Sequence, residues 1–244
     1  MTDTALKNEG LAARLDRLVS PFYDRDGITI YNADCRDVLP MLGKFDLLLT
    51  DPPYGIGEAA KRHATRQSSQ RCPNGPPGPP REYKRYKWDD EPADADRIGV
   101  SRDAAERQIV FGGNYFTLPP SSCWLVWDKD NTGDFADCEL AWTNMTRAVR
   151  KFKWRWNGML QEQMGDKKER RVHPTQKPLA LMKWCIGLVP EAKSVLDPFM
   201  GSGTTLVAAK QLGLRAVGIE INREYCEAAV ERLRQGVLCF DSEG

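Results

Sequence analysis

The chain holds 244 residues, with a formal net charge of +1 at pH 7, 41% hydrophobic and 28% charged residues. That length suits one α/β domain, residues 1–244, with a full core, and a charge so near balance argues neither for nor against nucleic acid. No apolar run approaches the roughly 20 residues of a membrane span. The polar start MTDTALKNEG lacks the apolar stretch of a secretory signal. Seven cysteines, widely spaced and without a CxxC, stand beside only two histidines. This excludes a disulfide framework or zinc site, implies no bound metal, and fits a reducing, cytoplasmic setting.

Ile28 to Tyr31 is a β-branched and aromatic run that predicts a strand, and Cys35 to Leu42 reads as a short helix. Phe45 to Thr50 is nearly continuous in apolar residues, the pattern of a strand covered on both faces. It runs straight into LLLTDPPYG, where an acid, two prolines, a ring and a glycine follow the strand. Within residues 56–92 the run RCPNGPPGPP excludes regular structure, and the segment predicts a mobile, basic, Pro/Gly-rich loop. Ala93 to Arg107 predicts a helix, then Gln108 to Phe111 and Cys123 to Trp127 predict strands. Glu139 to Asn144 and Arg147 to Trp156 predict the last strands of the sheet. Pro178 to Leu188 is helical with proline in the first turn, Ser194 to Leu196 a strand, and Thr204 to Leu212 a helix with Gly213 as its C-terminal cap. Arg215 to Ile219 is a strand, and Asn222 caps a final helix, Arg223 to Gln235. Strands alternating with helices predict a doubly wound, mostly parallel α/β sheet.

The stretch Val195 to Leu206 passes from a strand through a Gly-x-Gly turn into a helix. Such a turn lets backbone approach a ligand, and the helix start offers N–H groups to an anion, here through Ser202, Thr204 and Thr205. Glu220 ends the next strand, seventeen positions after Gly203, where an acid can accept hydrogen bonds from ribose hydroxyls. A dinucleotide dehydrogenase is the first rival, but its fingerprint has Gly or Ala where Leu206 stands, and Asp197 and Pro198 crowd the loop. A tight turn that only packs a helix on a sheet is the second. Since ligands in open α/β sheets bind outside the carboxyl ends of strands, LLLTDPPYG and LDPFMGSGTT should face one cleft.

Taken together, these motifs resemble the S-adenosylmethionine-dependent DNA amino-methyltransferases. DPPY matches the family's catalytic motif at Asp51, Pro52, Pro53 and Tyr54; F-x-G-x-G matches Phe199, Gly201 and Gly203; and HPTQKP matches a cofactor-side motif at His173 to Pro178. With the catalytic motif first and the cofactor motif last, the order is the circularly permuted one called the beta class. The resemblance covers Ile28 to about Arg234 apart from residues 56–92. It implies a Rossmann-like class I methyltransferase fold, S-adenosylmethionine as cofactor and DNA as substrate. It also implies that Asp34 bonds the cofactor's adenine amine, although a plain helix cap is the competing role there. Asp197 and Phe199 would flank the cofactor cleft and Lys177 would add charge for its carboxylate; a core role for Phe199 and a solvated lysine are the alternatives.

An exocyclic aryl amine is a poor nucleophile because its lone pair is delocalised into the ring. Asp51 and the Pro52 carbonyl can each accept one amine hydrogen and favour a tetrahedral nitrogen, on a loop that the prolines hold rigid. Tyr54 offers a face for the base. Cytosine C5 chemistry would need a nucleophilic cysteine, and Cys72, beside Pro73 in the loop, is poorly set for that role. The aspartate that opens DPPY in the resembled family usually accompanies adenine, so the expected target is its N6 amine. Cytosine N4, an RNA or protein substrate, and a non-catalytic nucleic-acid-binding relative are the alternatives. Basic residues interleaved with aromatics suit phosphates and unstacked bases. They occur at Lys61 to Trp88, and again at Arg147, Arg150, Lys151, Lys153 and Arg155 with Trp154 and Trp156, where core packing is the competing role of the rings. A third stretch, Lys167 to Arg171, can also reach a backbone. Little chain is left for a separate recognition domain. Sequence readout therefore falls to residues 56–92, to residues 128–172, or to the second subunit of a homodimer, as in a restriction-modification or solitary modification enzyme.

Overall fold

The computed structural model describes residues 20–55, 93–130, 136–157, 160–165, 168–169 and 175–235. The basic loop 56–92 and the first two residues of the HPTQKP block lie outside them, as do Lys167, Arg170 and Arg171 of the third basic stretch. Nine strands form one sheet: β1 (Tyr23–Arg25), β2 (Ile28–Tyr31), β3 (Phe45–Thr50), β4 (Ala105–Phe111), β5 (Trp124–Asp128), β6 (Cys138–Thr143), β7 (Arg150–Lys153), β10 (Ser194–Asp197) and β11 (Arg215–Ile219). Their order is β1-β2-β11-β10-β3-β4-β6-β5-β7, and β8 (Trp156–Asn157) and β9 (Leu160–Gln161) form a separate hairpin. The five central strands from β2 to β4 are mutually parallel. β6 then runs antiparallel to both β4 and β5, so the sheet is mostly parallel, as the sequence predicts, with a reversed outer segment.

Two apolar layers cover the sheet because its central strands alternate sides at every residue. Leu47 and Leu49 of β3 face one cluster with Ile28, Val195 and Leu181. Helices α3 (Leu179–Gly187), α4 (Thr204–Gln211) and α5 (Arg223–Gln235) supply its outer side. Leu48 faces the opposite cluster with Leu196, Val110 and Ile219, covered in part by α1 (Cys35–Val38). Burial on both sides is why LLL could be read directly as a strand. Cys35, Cys123, Cys185 and Cys226 are buried and Cys138 is exposed, all unpaired.

The structure moves several predicted boundaries. Pro40 divides the expected helix Cys35 to Leu42 into α1 and a 3₁₀ turn, Leu39–Met41, since proline cannot continue the backbone donor pattern. The helix predicted over Ala93 to Arg107 is α2, Ala95–Asp103, and β4 starts at Ala105, three residues before the expected Gln108. Glu106 and Arg107 in those first positions are exposed, which removes their apolar signal. The predicted strand Arg147 to Trp156 shortens to β7, and its last residue, Trp156, enters the hairpin instead. Gly213 follows α4 with φ 71, and Asn222 Oδ1 accepts from Glu224 N at 2.9 Å, as predicted for the two helix ends.

Candidate active site

The register of the parallel strands lines up their carboxyl ends. Tyr31 of β2 pairs with Ile219 of β11, Gly218 with Asp197 of β10, Leu196 with Leu48 of β3, and Thr50 with Val110 of β4. Asp197 and the residues that follow the strands, Asn32 to Asp34, Glu220, Pro198 to Gly203, Asp51 to Tyr54 and Gly112, therefore occupy one edge of the sheet. Asn32 joins two of these turns by donating to the carbonyls of Glu220 at 2.9 Å and Ile221 at 3.0 Å.

Asp51 is the centre of a charged network. Tyr54 Oη donates to Asp51 Oδ1 at 2.5 Å, and Lys177 Nζ donates to Oδ2 at 2.6 Å. Lys177 also lies 3.0 Å from Glu139 Oε2, and Lys129 Nζ lies 2.5 Å from Glu139 Oε1. Glu139 Oε2 is buried and is held there by the Lys177 ammonium. Lys177 is 6% exposed while Asp51 and Glu139 each keep 21% of their side chains open. Burial and then the Glu139 charge raise the Asp51 carboxyl above its usual value, against the pull of Lys177. Burial would also raise Glu139, but Lys177 and Lys129 outweigh it and bring it down to about 2. Burial acts to discharge Lys177, and its two carboxylates hold it charged.

The loop around Asp51 is fixed by packing. Pro52 is buried, and the Pro53 carbonyl accepts from Ala93 N at 3.0 Å. Tyr54 stacks on Tyr115 with ring centroids 4.9 Å apart and planes 14° apart. Its ring lies against Gly112, where φ is 65 and a Cβ would fall 2.0 Å from Tyr54 Cε1. A side chain at position 112 and the present place of the Tyr54 ring exclude each other.

Across the β3–β10 pair, Asp197 is 3% exposed and serves its own loop. Its Oδ1 accepts from Thr50 Oγ1 at 2.8 Å and from Phe199 N at 3.2 Å. Burial raises its carboxyl to about 6 despite hydrogen bonds from Thr205 and Thr50. Phe199 is half-buried against the cluster that contains Leu48 and Leu196. The Gly201 to Gly203 turn has φ of 50 and 75 at its two glycines, and Ser202, Thr204 and Thr205 are buried. Arg232 of α5 reaches this turn: its Nη1 donates to Ser202 O at 2.8 Å, Ser202 Oγ at 3.2 Å and Thr204 Oγ1 at 2.9 Å. Its Nη2 donates to Glu169 Oε1 at 3.2 Å. Glu220 accepts from Gly201 N at 3.1 Å and Asn222 N at 2.7 Å, and burial raises it to about 7.

Two residues have surroundings that differ from the expected ones. Asp34 caps α1 through Arg36 N at 3.0 Å, and its carboxylate also takes Arg36 Nε, Arg36 Nη2 and Arg97 Nη2. Those four donors fill the lone pairs a carboxylate offers. Although burial opposes it, Arg36 and Arg97 hold this carboxyl well below the usual range. Lys177, expected beside the cofactor's carboxylate, has its ammonium on Asp51 and Glu139 instead, while Arg232 is the cation at the glycine turn.

A family described as DNA methylase matches residues 81–231. The Type II methyltransferase M2.LlaDCHI of Lactococcus lactis subsp. cremoris is 40% identical over 265 aligned residues, covering 90% of this chain and 94% of its own. The chain belongs to the DNA methylase family. The Type II methyltransferase M2.DpnII of Streptococcus pneumoniae is 42% identical over 133 residues, covering 45% of this chain. The chain spans 24% of the length of another curated relative, 49% of M2.DpnII and 94% of M2.LlaDCHI. Among solved structures, a PvuII DNA methyltransferase (cytosine-N4-specific) shares the fold, with TM-score 0.53, 13% identity, and coverage of 87% of this chain and 88% of its own.

Family motifs locate Asp51, Lys177 and Gly201 in the sequence, but Glu139, Lys129 and Arg232 lie outside every motif named above. Glu139 reaches the site only because β6 runs backwards and brings its first residues to the edge where β4 ends. In the second basic cluster, Lys151 pairs with Asp128, and Lys153 and Arg155 pair with Asp130. Trp154 packs with Phe152, and Phe152 with Trp184; Trp156 is buried and donates to the Gln176 carbonyl at 2.9 Å. Both rings take the packing role, and Trp156 steadies the residue that precedes Lys177. No helix among the described residues is long and apolar enough to cross a membrane, and no cluster of metal-ligating side chains occurs among them.

Proposed function

We propose that the chain is a beta-class DNA methyltransferase that uses S-adenosylmethionine to methylate the exocyclic N6 amine of adenine. The observation that carries this reading is the adjacency of two loops. The Asp51 carboxylate and the Gly201 to Gly203 turn follow neighbouring parallel strands, with Leu48 opposite Leu196, so an amine at one and a methyl donor at the other would meet.

The residues present fit the cofactor. The first turn of α4 has backbone N–H groups without helical partners, and the Arg232 guanidinium lies under it, which together suit the methionine carboxylate. The Ser202 and Thr204 hydroxyls are engaged by Arg232, so the backbone is the better ligand. Glu220 stands where ribose hydroxyls can donate to it, beside Phe199 and Asp197 on the same edge. The occupied lone pairs of Asp34 argue for the cap over the adenine-amine role. When bound, S-adenosylmethionine supplies a methyl group on a sulfonium that departs as a neutral thioether, so the site has only to aim a nitrogen lone pair. Asp51 accepts one amine hydrogen, the Pro52 carbonyl accepts the other, and the surplus proton leaves the nitrogen towards Asp51.

DNA is the proposed substrate, with the basic loop 56–92 beside the catalytic motif as its contact and a homodimer as a further source of sequence readout. Adenine is preferred because Asp51 opens the DPPY motif. Duplex DNA incubated with the protein and S-adenosylmethionine, digested to nucleosides and analysed by mass spectrometry, should contain N6-methyladenine. N4-methylcytosine as the main product would overturn the choice of base, and methylation of RNA or protein alone would overturn the substrate.

A further inference from the structure

The four charges at the catalytic edge form a chain, Lys129, Glu139, Lys177 and Asp51, with successive contacts of 2.5, 3.0 and 2.6 Å. Lys177 is the only described cation against Asp51 in these contacts and is shared between two carboxylates. We propose that Glu139 is a positioning residue of the methyl-transfer site: by sharing the Lys177 ammonium it keeps the Asp51 carboxylate available to the target amine. The inference rests on the methyltransferase reading above.

An ammonium 2.6 Å from a carboxylate in a poorly hydrated site competes with any other donor for that carboxylate. With Lys177 alone, Asp51 would keep its charge but be a weak acceptor. Without Lys177, burial would push Asp51 towards its neutral, non-accepting form. A second carboxylate on the far side of the ammonium sets a state between these extremes. Lys129 anchors that second carboxylate through its other oxygen and rests against the Trp127 ring, 5.0 Å from its centroid. Among the described residues the Tyr54 hydroxyl also donates to Asp51, and on the β10 side the buried Asp197 adds a like charge. Glu139 itself needs no contact with the base, and its Oε2 is sealed from solvent.

Single-turnover methylation of duplex DNA, followed with radiolabelled S-adenosylmethionine across pH 5 to 9, separates tuning from mere support. Asp51 must be ionised to accept, so the acid limb of the rate profile reports its pKa. Glu139→Gln removes a negative charge, lowers that pKa, and should move the limb to lower pH while cutting the plateau rate at least tenfold. Lys177→Met removes a positive charge and should move the limb to higher pH. Cofactor affinity by calorimetry should stay within about threefold in both, which also certifies the fold. If Glu139→Gln fails to bind cofactor, Glu139→Asp carries the test, with a shift of the same sign and smaller size. An unmoved limb, or one moving the same way in the Glu139 and Lys177 variants, overturns the inference. A wild-type protein that binds cofactor yet methylates no DNA would instead overturn the function itself.

Discussion

Asp51 follows β3 and Asp197 ends the neighbouring β10, yet their surroundings give them opposite duties. Asp197 is 3% exposed and is bonded by Thr50 Oγ1 and Phe199 N, so its carboxylate is consumed in joining β3 to the β10 loop. Asp51 keeps 21% of its side chain exposed and its partners are a lysine and a phenol rather than backbone. Asp51→Ala should therefore abolish methyl transfer while cofactor affinity stays within about tenfold, or ~1.4 kcal/mol, as calorimetry would show. Asp197→Ala should instead cost about 2–4 kcal/mol of unfolding free energy in urea titrations, because a buried hydroxyl and amide lose their acceptor. Full activity in the first variant, or unchanged stability in the second, would refute the division of roles.

The elements that carry these residues were legible in the sequence to different degrees. β3 and β10 are covered on both faces, so their apolar runs name them; the DPPY and Gly-x-Gly turns follow directly. β1 is three residues, two of them exposed, and offers no periodic signal. The direction of β6 is set by pairing with β4 and β5, a tertiary fact, so Glu139 could not be placed at the site from sequence. Arg232 is one of several charged residues on the amphipathic α5, and nothing in the spacing marks it as the one beneath the glycine turn. That turn needs its second glycine: at Gly203 φ is 75, and a Cβ would sit 2.8 Å from Ala229 Cβ on α5. Gly203→Ala should lower stability by about 2–3 kcal/mol, from left-handed strain and from the pressure on α5. It should also weaken S-adenosylmethionine binding, both read by chemical denaturation with and without cofactor. A substitution tolerated without loss of either would show that α5 can withdraw from the turn.

At the scale of the whole molecule, a row of carboxylates along one sheet edge makes stability depend on pH. Burial raises Glu220 to about 7 and Asp197 to about 6, above the values near 4 of an unfolded chain. The folded protein then binds more protons than the unfolded one between about pH 4 and 7, so unfolding free energy falls as pH rises through that window. Glu139 and Asp34 are shifted the other way; the stability they add is complete above about pH 5 and is lost progressively below it, so it opposes the decline only at the acid edge of the window. Glu220 should contribute about 1–3 kcal/mol to the decline, with Glu220→Gln flattening the curve between pH 5 and 8 in urea denaturation. The same proton couples to the cofactor. Ribose hydroxyls donating to Glu220 favour its ionised form, so binding of S-adenosylmethionine should expel the proton and lower the carboxyl's pKa. Calorimetry should then show affinity rising from pH 5.5 to 8, with net proton release near pH 6 to 7 seen as a dependence of the measured enthalpy on buffer ionisation. Glu220→Gln should bind more weakly at pH 8 and with no buffer dependence in that range. Equal affinity for wild type and variant at every pH would remove Glu220 from the ribose site and leave it as a support for Gly201 and Asn222.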